Sequence, residues 1–400
     1  MDRRKFLGTV GSAALTAPLF GRTAFAATDK VTFGIPLPMS GPFAANGKFG
    51  AMGAQLYVED LKTLLGHPLA YTVLDAQGQP AAGVRKVQDL FQQQGAHYFA
   101  GASLSSVALA LGGALDKLGG VFVTAAGADE ITGTHCNKAM FRWSVPTYGA
   151  VQETIGPLLK RYPDAKRWYT ITPQYVFGES LLKATKDLLK ANGRELVGNS
   201  YHSLDEREFS GYVINAMSTK PDVLVLLNFS SQSSETLRQA VSFGVKKKAV
   251  IVMVWASGLE QFQSLGADLC EGVYFGAQYW HQIDSPGNKR LVEITKKKFT
   301  MNPNYSLAQI YVACQMMGEG IKKAGSIDPK KAIAAMEGLT YEGLTGTETI
   351  RAGDHQVLKN YYLLRGKAKS AMKDPDDYCD ILSSGQSYLS PEQEGCKMPA

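Results

Sequence analysis

The stretch "AHYFAGASLSSVALALGGALDKLGGVFVTAA", residues 96–126, contains the unit from which the fold can be predicted. Its two ends, "AHYFAGA" and "GGVFVTAA", are short runs rich in aromatic and β-branched residues, which are typical of buried strands. Between them, "SSVALALGGALDKL" repeats apolar residues at helical spacing. A strand, a helix and a second strand in this order predict two parallel strands joined by a crossover helix.

The same alternation of strand and helix extends in both directions along the chain. It pauses at residues 144–149, between two similar series of strand–helix units. Long helices follow at about 287–300 and 304–324, and then "LTGTETIRAGDHQVLKNYYLLRGK" alternates like a β segment that returns to a lobe already built. We therefore expect an α/β fold with two lobes, because a mature chain of roughly 370 residues exceeds the usual size of one core.

The N-terminus "MDRRKFLGTVGSAALTAPLFGRTAFAA" has the features of a secretory signal. Adjacent arginines precede a mildly apolar stretch, and Ala24-Phe25-Ala26 matches a cleavage site, so residues 1–26 are excluded from the fold. The arginine pair favours a twin-arginine signal over a general secretory one. Four basic residues and Asp2 lie in this segment, so the mature chain keeps only about half of the formal charge of +6. Such a balance argues against binding to nucleic acid or anionic membranes.

Five cysteines in an exported protein leave at least one unpaired. Cys379 and Cys396 lie in a polar segment with little apolar periodicity, which needs a crosslink more than the rest of the chain. We expect these two to form a disulfide. Cys314, inside a helical run, is expected to be a buried small hydrophobe. Cys136 and Cys270 stay undecided.

Motifs for catalysis and cofactor binding are missing. In "SGPFAANGKF", residues 40–49, five residues separate Gly41 from Gly47 and Phe49 follows the lysine, so the loop does not match a P-loop. No dinucleotide fingerprint follows the first strand. "GASLSS" has Ser105 where a nucleophile elbow requires glycine. The six histidines show no metal-ligand spacing. We expect no enzyme activity, no cofactor and no metal.

Loops after the strands are the expected ligand site, because ligands of open parallel sheets bind beyond the carboxyl ends of the strands. Ser105 and Ser106 begin an apolar helix, where hydroxyls, free N–H groups and the helix dipole can hold a carboxylate. The alternative is that Ser105 only caps its own helix.

Seven segments in a shared order resemble the type I periplasmic solute-binding proteins of ABC importers, in particular the leucine/isoleucine/valine-binding group. They include "PMSGPFAANGKFGAMGAQL", "YFAGASLSS", "FVTAAGADEIT" and "YVFGESLLKATKDLLKANG". The resemblance implies two Rossmann-like lobes with parallel central sheets, joined by a three-crossover hinge and closing over a small ligand. The implied division is lobe 1 at 28–146 plus about 277–345, lobe 2 at 147–276 plus about 346–368, and a C-terminal tail at 369–400.

The resemblance also implies site residues. Ser105 and the backbone at Ala126 would hold the ligand carboxylate, and Phe177 would face the ligand from the second lobe. The turn at residues 40–49 would form the rim of the cleft. Asn46 and Tyr148 lie in loops that should face it.

Two departures from the family pattern concern the ligand. Gly127 stands where amino-acid binders have threonine, and Trp255 with its two neighbours replaces the loop acid that neutralises the ligand ammonium; Glu260 lies further along. Burying an ammonium without a counter-charge costs several kcal/mol. A wider space at Gly127 and added aromatics therefore indicate a carboxylate on an aromatic or apolar body. The added aromatics are Tyr175, Trp255, Tyr279 and Trp280, of which the last two could instead pack the strand between the lobes.

We therefore expect a non-catalytic, monomeric periplasmic receptor of the Gram-negative type, which captures a small organic acid and delivers it to the membrane permease of an ABC importer. One alternative is a branched-chain or hydrophobic amino-acid binder with an altered ammonium site. Another is a ligand sensor or an accessory subunit of an exported enzyme.

Overall fold

The first lobe is built on a six-stranded sheet. A computed structural model describes residues 30–398, so the expected signal segment 1–26 lies outside the described residues. The elements of this lobe are β1 (Val31–Leu37), α1 (Ala44–Leu61), β2 (Thr63–Leu64), β3 (His67–Asp75), α2 (Pro80–Gln94), β4 (Tyr98–Gly101), α3 (Ser105–Leu118), β5 (Val121–Thr124) and β6 (Met140–Arg142).

The strands of this sheet run in the order β2-β3-β1-β4-β5-β6 and are parallel except for the short edge strand β2. Helices cover both faces, and the side chains of Phe33, Phe99 and Val123 are fully buried. Apolar runs without alternation, as in β4 and β5, are what a strand covered on both faces requires. The prediction of parallel strands joined by a helix at residues 96–126 is confirmed by β4, α3 and β5.

The second lobe repeats this plan around a seven-stranded sheet. Its elements are α4 (Thr147–Arg161), β7 (Arg167–Pro173), α5 (Val176–Ala191), β8 (Glu195–His202), α6 (Ser210–Ser218), β9 (Val223–Leu226), α7 (Ser230–Ser242), β10 (Val250–Met253), α8 (Leu259–Leu265), α9 (Ala267–Cys270) and β11 (Tyr274–Ala277).

The chain then returns to the first lobe and crosses once more. The remaining elements are α10 (Pro286–Phe299), α11 (Tyr305–Ala324), α12 (Pro329–Met336), β12 (Thr340–Gly343), β13 (Gly346–Ile350), β14 (Val357–Leu358), β15 (Tyr361–Gly366) and β16 (Cys379–Gly385). The second sheet has the order β16-β15-β11-β10-β9-β7-β8, with β15 and β16 antiparallel to their neighbours. The expected α/β fold with two lobes is confirmed.

Two of the expected boundaries differ from the structure. A division at 345/346 would cut the antiparallel hairpin of β12 and β13, in which Gly343 pairs with Gly346. These strands form a separate three-stranded sheet with β14, and the chain enters the second sheet only at β15. The expected tail also contributes β16, which pairs with β15 from Cys379 to Gly385.

Three segments join the lobes, at residues 143–146, 278–285 and 359–360. The amide of Gln278 donates to the carbonyl oxygen of Val145 at 2.8 Å and accepts from its N–H at 2.9 Å. Lys359 is fully buried here, and its Nζ lies 2.9 Å from the carbonyl oxygen of Gln278, 3.0 Å from that of Asn360 and 4.4 Å from the centre of the Trp143 ring. One side chain thus contacts all three crossing segments.

The C-terminal segment crosses between the lobes a fourth time. After β16, the Tyr388 hydroxyl donates to the carbonyl oxygen of Lys359 at 2.8 Å and accepts from its N–H at 2.9 Å. Glu394 is then buried beside Arg142 of the first lobe, and Cys396 forms a disulfide with Cys136. We call residues 386–396 the strap.

The expected disulfide between Cys379 and Cys396 is wrong. Cys379 begins β16 in the second lobe, where it is buried as a free thiol and pairs with Gly366. The strap carries Cys396 across the hinge to the loop between β5 and β6, so its partner is Cys136. Cys270 and Cys314 are also buried free thiols, as expected for Cys314.

Candidate ligand-binding site

A cavity lies between the lobes, where loops at the carboxyl ends of both sheets meet. The first lobe contributes residues of α1, of the loops after β4 and β5, and of α11; the second contributes residues that follow β7, β9 and β10. The lining residues are Asn46, Ser103, Ala125, Gly127, Tyr305 and Gln309 from the first lobe, and Tyr175, Phe177, Phe229 and Trp255 from the second. The cavity is narrow, with room for about one water molecule between the side chains. The lobes are thus in close contact around it, and a ligand larger than water can enter only when they move apart.

The wall from the second lobe consists of four aromatic side chains. The Phe177 ring packs edge-on against Trp255, with ring centres 5.2 Å apart, and lies 5.9 Å from both Phe229 and Tyr175. Phe229 also stacks on Phe43 of the first lobe at 5.1 Å. Burial raises the pKa of Tyr175, so this phenol is neutral at any physiological pH. The wall is apolar and carries no charge.

The wall from the first lobe presents small and polar groups. The Ser103 hydroxyl is buried and has no hydrogen-bond partner among the described residues. The N–H groups of Ser103 and Gly127 likewise donate to no other described residue. Ala102, just before this serine, has φ of 59°, a left-handed conformation that is unfavourable for alanine. Such strain next to unpaired donors is typical of a ligand-binding loop.

Gly127 does not widen the cavity, in contrast to the expectation from the sequence. A Cβ atom built on Gly127 would lie 2.6 Å from the indole of Trp255 and 2.8 Å from the ring of Phe177. The space that a larger residue would use is filled by aromatic rings from the other lobe. The absence of a side chain therefore lets Trp255 and Phe177 pack directly against the loop after β5.

Five of the nine residues expected at the site line the cavity, namely Asn46, Gly127, Tyr175, Phe177 and Trp255. Ser105, Ser106, Ala126 and Tyr148 do not. The Ser105 hydroxyl accepts from the N–H of Ala128 at 3.2 Å, and no side chain caps α3. The interpretation of Ser105 as a cap is therefore wrong, and Ser103, two residues earlier, lies in the cavity instead.

Ala126 and Tyr148 have other contacts. The N–H of Ala126 donates to the Thr124 hydroxyl at 3.2 Å, and its carbonyl oxygen accepts from Ser144 at 3.0 Å, so its backbone groups are already paired. Ala125 lines the cavity in its place. The N–H of Tyr148 donates to Asp129 at 2.9 Å. The residue types of Ser103 and Ala125 do not distinguish them from their neighbours. Only the conformation of the two loops shows that these residues line the cavity.

Tyr279 and Trp280 are core residues. The Tyr279 hydroxyl donates to Asn288 at 2.5 Å, and the Trp280 ring packs 5.4 Å from Phe262. Both are almost completely buried and neither lines the cavity. Of the two alternatives for these residues, packing between the lobes therefore agrees with the structure and contact with the ligand does not.

Asn46 connects the lobes. Its Nδ2 donates to the Ser306 hydroxyl of α11 at 2.8 Å, and its Oδ1 accepts from Ser230 of the second lobe at 2.6 Å. Ser306 in turn donates to Glu260 of the second lobe at 3.3 Å. Burial without a cationic partner raises the pKa of Glu260 to about 8. No acidic or basic side chain lines the cavity itself.

Comparison with known proteins agrees with this architecture. The sequence profile of the periplasmic binding protein family matches residues 30–371. The chain belongs to this family. Its members bind solutes and are not enzymes, so this protein is a non-catalytic periplasmic binding protein. Among residues 30–398 no group of histidine, cysteine or acidic side chains is arranged to hold a metal ion, and none of the helices there is both long and apolar enough to cross a bilayer.

Relatives of this periplasmic binding protein include the Leu/Ile/Val-binding protein BraC3 of Rhizobium johnstonii, 26% identical over 334 residues that cover 80% of this chain and 87% of that one. An amino acid ABC transporter substrate-binding protein from Pseudomonas fluorescens Pf-5 is 55% identical, with a TM-score of 0.89 and coverage of 92% and 99%. A solute-binding protein from Rhodopseudomonas palustris BisB5, solved with 3,4-dihydroxybenzoic acid, shares the fold at 22% identity, with a TM-score of 0.82 and coverage of 91% and 99%. The protein is thus the substrate-binding component of an ABC transporter.

Proposed function

We propose that the cavity binds a small organic acid with an aromatic or apolar body, which the protein delivers to the membrane permease of its ABC importer. The observation that carries this proposal is the difference between the two walls. The first lobe offers a buried hydroxyl and two N–H groups without protein acceptors, and the second offers four aromatic rings. A carboxylate accepts hydrogen bonds from the former, and the rest of the ligand packs against the latter.

The position of the unpaired donors supports a carboxylate. Ser103 lies two residues before α3, a helix of 14 residues whose free N–H groups and dipole favour a negative charge at this end. The 3,4-dihydroxybenzoic acid bound to the R. palustris relative is an aromatic carboxylate, although at 22% identity that relative shares only the fold.

A hydrophobic amino acid is the second candidate. It is favoured by the relative from P. fluorescens, which is 55% identical and is described as part of an amino acid transporter. An amino acid would place its ammonium in a cavity that has no acidic side chain in its lining. Because a buried ammonium without a counter-charge is unfavourable, this candidate requires a partner acid from outside the lining.

A thermal-shift screen of the mature protein distinguishes the two candidates. Benzoate, 4-hydroxybenzoate, 3-phenylpropanoate, 3-methylbutanoate and 4-methylpentanoate should raise the unfolding temperature, and leucine, valine and phenylalanine should not. A ligand at about 100 times its Kd adds roughly 2.7 kcal/mol to the stability of the protein. Each amino acid differs from a matched acid mainly by its ammonium group, for example leucine from 4-methylpentanoate. Stabilisation by leucine or valine but not by the matched acids would overturn the proposal.

We also propose that the mature protein begins after residue 26 and acts as a monomer in a periplasm of the Gram-negative type. A sensor or an accessory subunit of an exported enzyme is the alternative role. Permease and ATPase genes next to this gene would support transport, whereas a neighbouring receptor or exported dehydrogenase gene would support the alternative.

A further inference from the structure

A chain of hydrogen bonds crosses the cleft twice beside the cavity. It starts on the second lobe, enters the first lobe at α1, continues to α11 and returns to the second lobe at α8. Its bonds measure 2.6, 2.8 and 3.3 Å in this order. We call it the interlobe latch, and its members are Ser230, Asn46, Ser306 and Glu260.

The two ends of the latch are fixed relative to each other. Gln261, the residue after Glu260, donates from Nε2 to the carbonyl oxygen of Ser230 at 3.1 Å and to the Ser233 hydroxyl at 2.7 Å. Ser230 itself has φ of 58°, a left-handed conformation that is costly for serine and that here accompanies the contact with Asn46. The second lobe therefore holds a preformed pair of groups that receives Asn46 and Ser306.

The two members from the first lobe are buried and bonded on both sides. Asn46 is 2% exposed and Ser306 is 0% exposed. Asn46 lines the cavity, but its side-chain nitrogen and oxygen both make hydrogen bonds within the latch. Its polar side-chain atoms therefore serve the contact between the lobes. The bond from Ser230 to Asn46 and the bond from Ser306 to Glu260 cross between the lobes, so these two bonds can form only when the lobes are close.

We propose that the interlobe latch stabilises the closed arrangement of the two lobes, and that it loosens when the Glu260 carboxyl loses its proton. Oε2 of Glu260 is buried without a hydrogen-bond partner, and no ion pair among the described residues includes this carboxyl. The titratable group that faces it from α11 is Tyr305, whose hydroxyl donates to the carbonyl oxygen of Ala125. The latch connects the carboxyl through Ser306 to Asn46 of α1 and Ser230 of α7, and none of these three residues titrates. A charge on Glu260 is therefore uncompensated in the closed form.

The direction of the pH effect follows from this burial. In the closed form the pKa of Glu260 is raised to about 8, and separation of the lobes exposes it to water, where its pKa falls toward the ordinary value. The closed form then binds the proton more tightly than the open form. Closure is most favourable at low pH and weakens as the pH rises toward about 8. Above that pH the carboxyl is charged in both forms and the effect is constant.

Distance measurements between spin labels on the two lobes test the latch without any ligand. Lys48 and Arg207 are exposed residues of the first and second lobe, and the described cysteines are either buried or disulfide-bonded, so cysteines introduced at positions 48 and 207 can be labelled selectively. On this background the ratio of closed to open molecules should fall at least about fivefold between pH 6 and pH 8.5. In E260Q the ratio should not change with pH, because glutamine keeps an acceptor for Ser306 but does not titrate. In N46A the open fraction should increase at every pH.

Ser231→Ala is the matched control. In the wild type the Ser231 hydroxyl also makes a hydrogen bond across the cleft, donating to the carbonyl oxygen of Pro42 at 2.8 Å. Ser231 is outside the latch, and this hydroxyl is bonded to no titratable group. This variant should keep the pH dependence of the wild type. Distances that do not change with pH in the wild type, or an unchanged pH dependence in E260Q, would overturn the proposal. Neither result bears on the chemical class of the ligand, which the thermal-shift screen tests separately.

Discussion

Ser103 lies in the loop just before α3, and Ser106 lies in the first turn of α3. The two serines differ in their surroundings. Ser103 lines the cavity with a buried, unpartnered hydroxyl, whereas Ser106 is half-buried outside the lining. If Ser103 binds the ligand carboxylate, S103A should weaken binding by about 1 to 3 kcal/mol, since a hydrogen bond to a charged group is lost. S106A should leave the Kd unchanged. Calorimetry with the acid that gives the largest thermal shift measures both; equal Kd values for S103A and the wild type would remove Ser103 from the site.

Gly127 is predicted to tolerate no side chain in the closed protein. A methyl group there would approach Trp255 to 2.6 Å and Phe177 to 2.8 Å, so the rings must move and G127A should lose about 1 to 3 kcal/mol of stability. Gly113 in α3 is the control, because its Cβ would meet no atom within 4 Å. G113A should be neutral or stabilising by up to about 1 kcal/mol. Denaturant unfolding compares the two variants, and an equal effect of both would contradict the packing argument.

At the scale of the structural elements, the order of strands and helices could be predicted from the sequence. Parallel strands covered on both faces leave long apolar runs, as in β4 and β5, and these runs are visible without any structure. The same pattern predicts where the loops after the strands begin; in the structure these loops lie at the cleft, where Phe177 and Trp255 line the cavity.

Other features depend on local conformation or distant pairing and leave no such pattern. The difference between Ser103 and Ser105 rests on the positive φ of Ala102, which the residue type does not indicate. β16 carries little alternation in the sequence, because six of its seven residues are exposed or half-exposed next to polar loops. Cys136 and Cys396 are 260 residues apart, and only the path of the strap brings them together.

Lys359 is the buried lysine that all three hinge segments contact, and it makes the stability of the protein depend on pH. Burial lowers the pKa of Lys359 to about 7, so the unfolded chain binds more protons than the folded protein between pH 7 and the ordinary lysine pKa. The unfolding free energy of the wild type should therefore rise relative to that of K359M, by on the order of 2 kcal/mol, from pH 7 to pH 9.5. K48M, at an exposed position, should track the wild type. Parallel curves for K359M and the wild type in denaturant titrations would contradict a lowered pKa.

At the scale of the whole molecule, the disulfide of the strap closes a loop of most of the chain. Crosslinking residues 260 positions apart restricts the unfolded ensemble strongly, and the chain-entropy estimate is roughly 5 kcal/mol. The double variant C136S/C396S should lose up to this amount of unfolding free energy. Reductant should lower the stability of the wild type to the same level and should not affect the double variant. Equal stability of the two proteins under oxidising conditions would contradict the pairing of Cys136 with Cys396.

The strap also determines where the two ends of the described chain lie. Val31 begins β1 in the first lobe, and Cys396 is bonded to Cys136 in the same lobe. Fluorescent proteins fused to the two termini would therefore move with the same lobe, and the energy transfer between them would change little when the cleft closes. A biosensor built on this scaffold needs one of its reporters inside the second lobe. The exposed turn at Gly193, between α5 and β8, offers an insertion point for it.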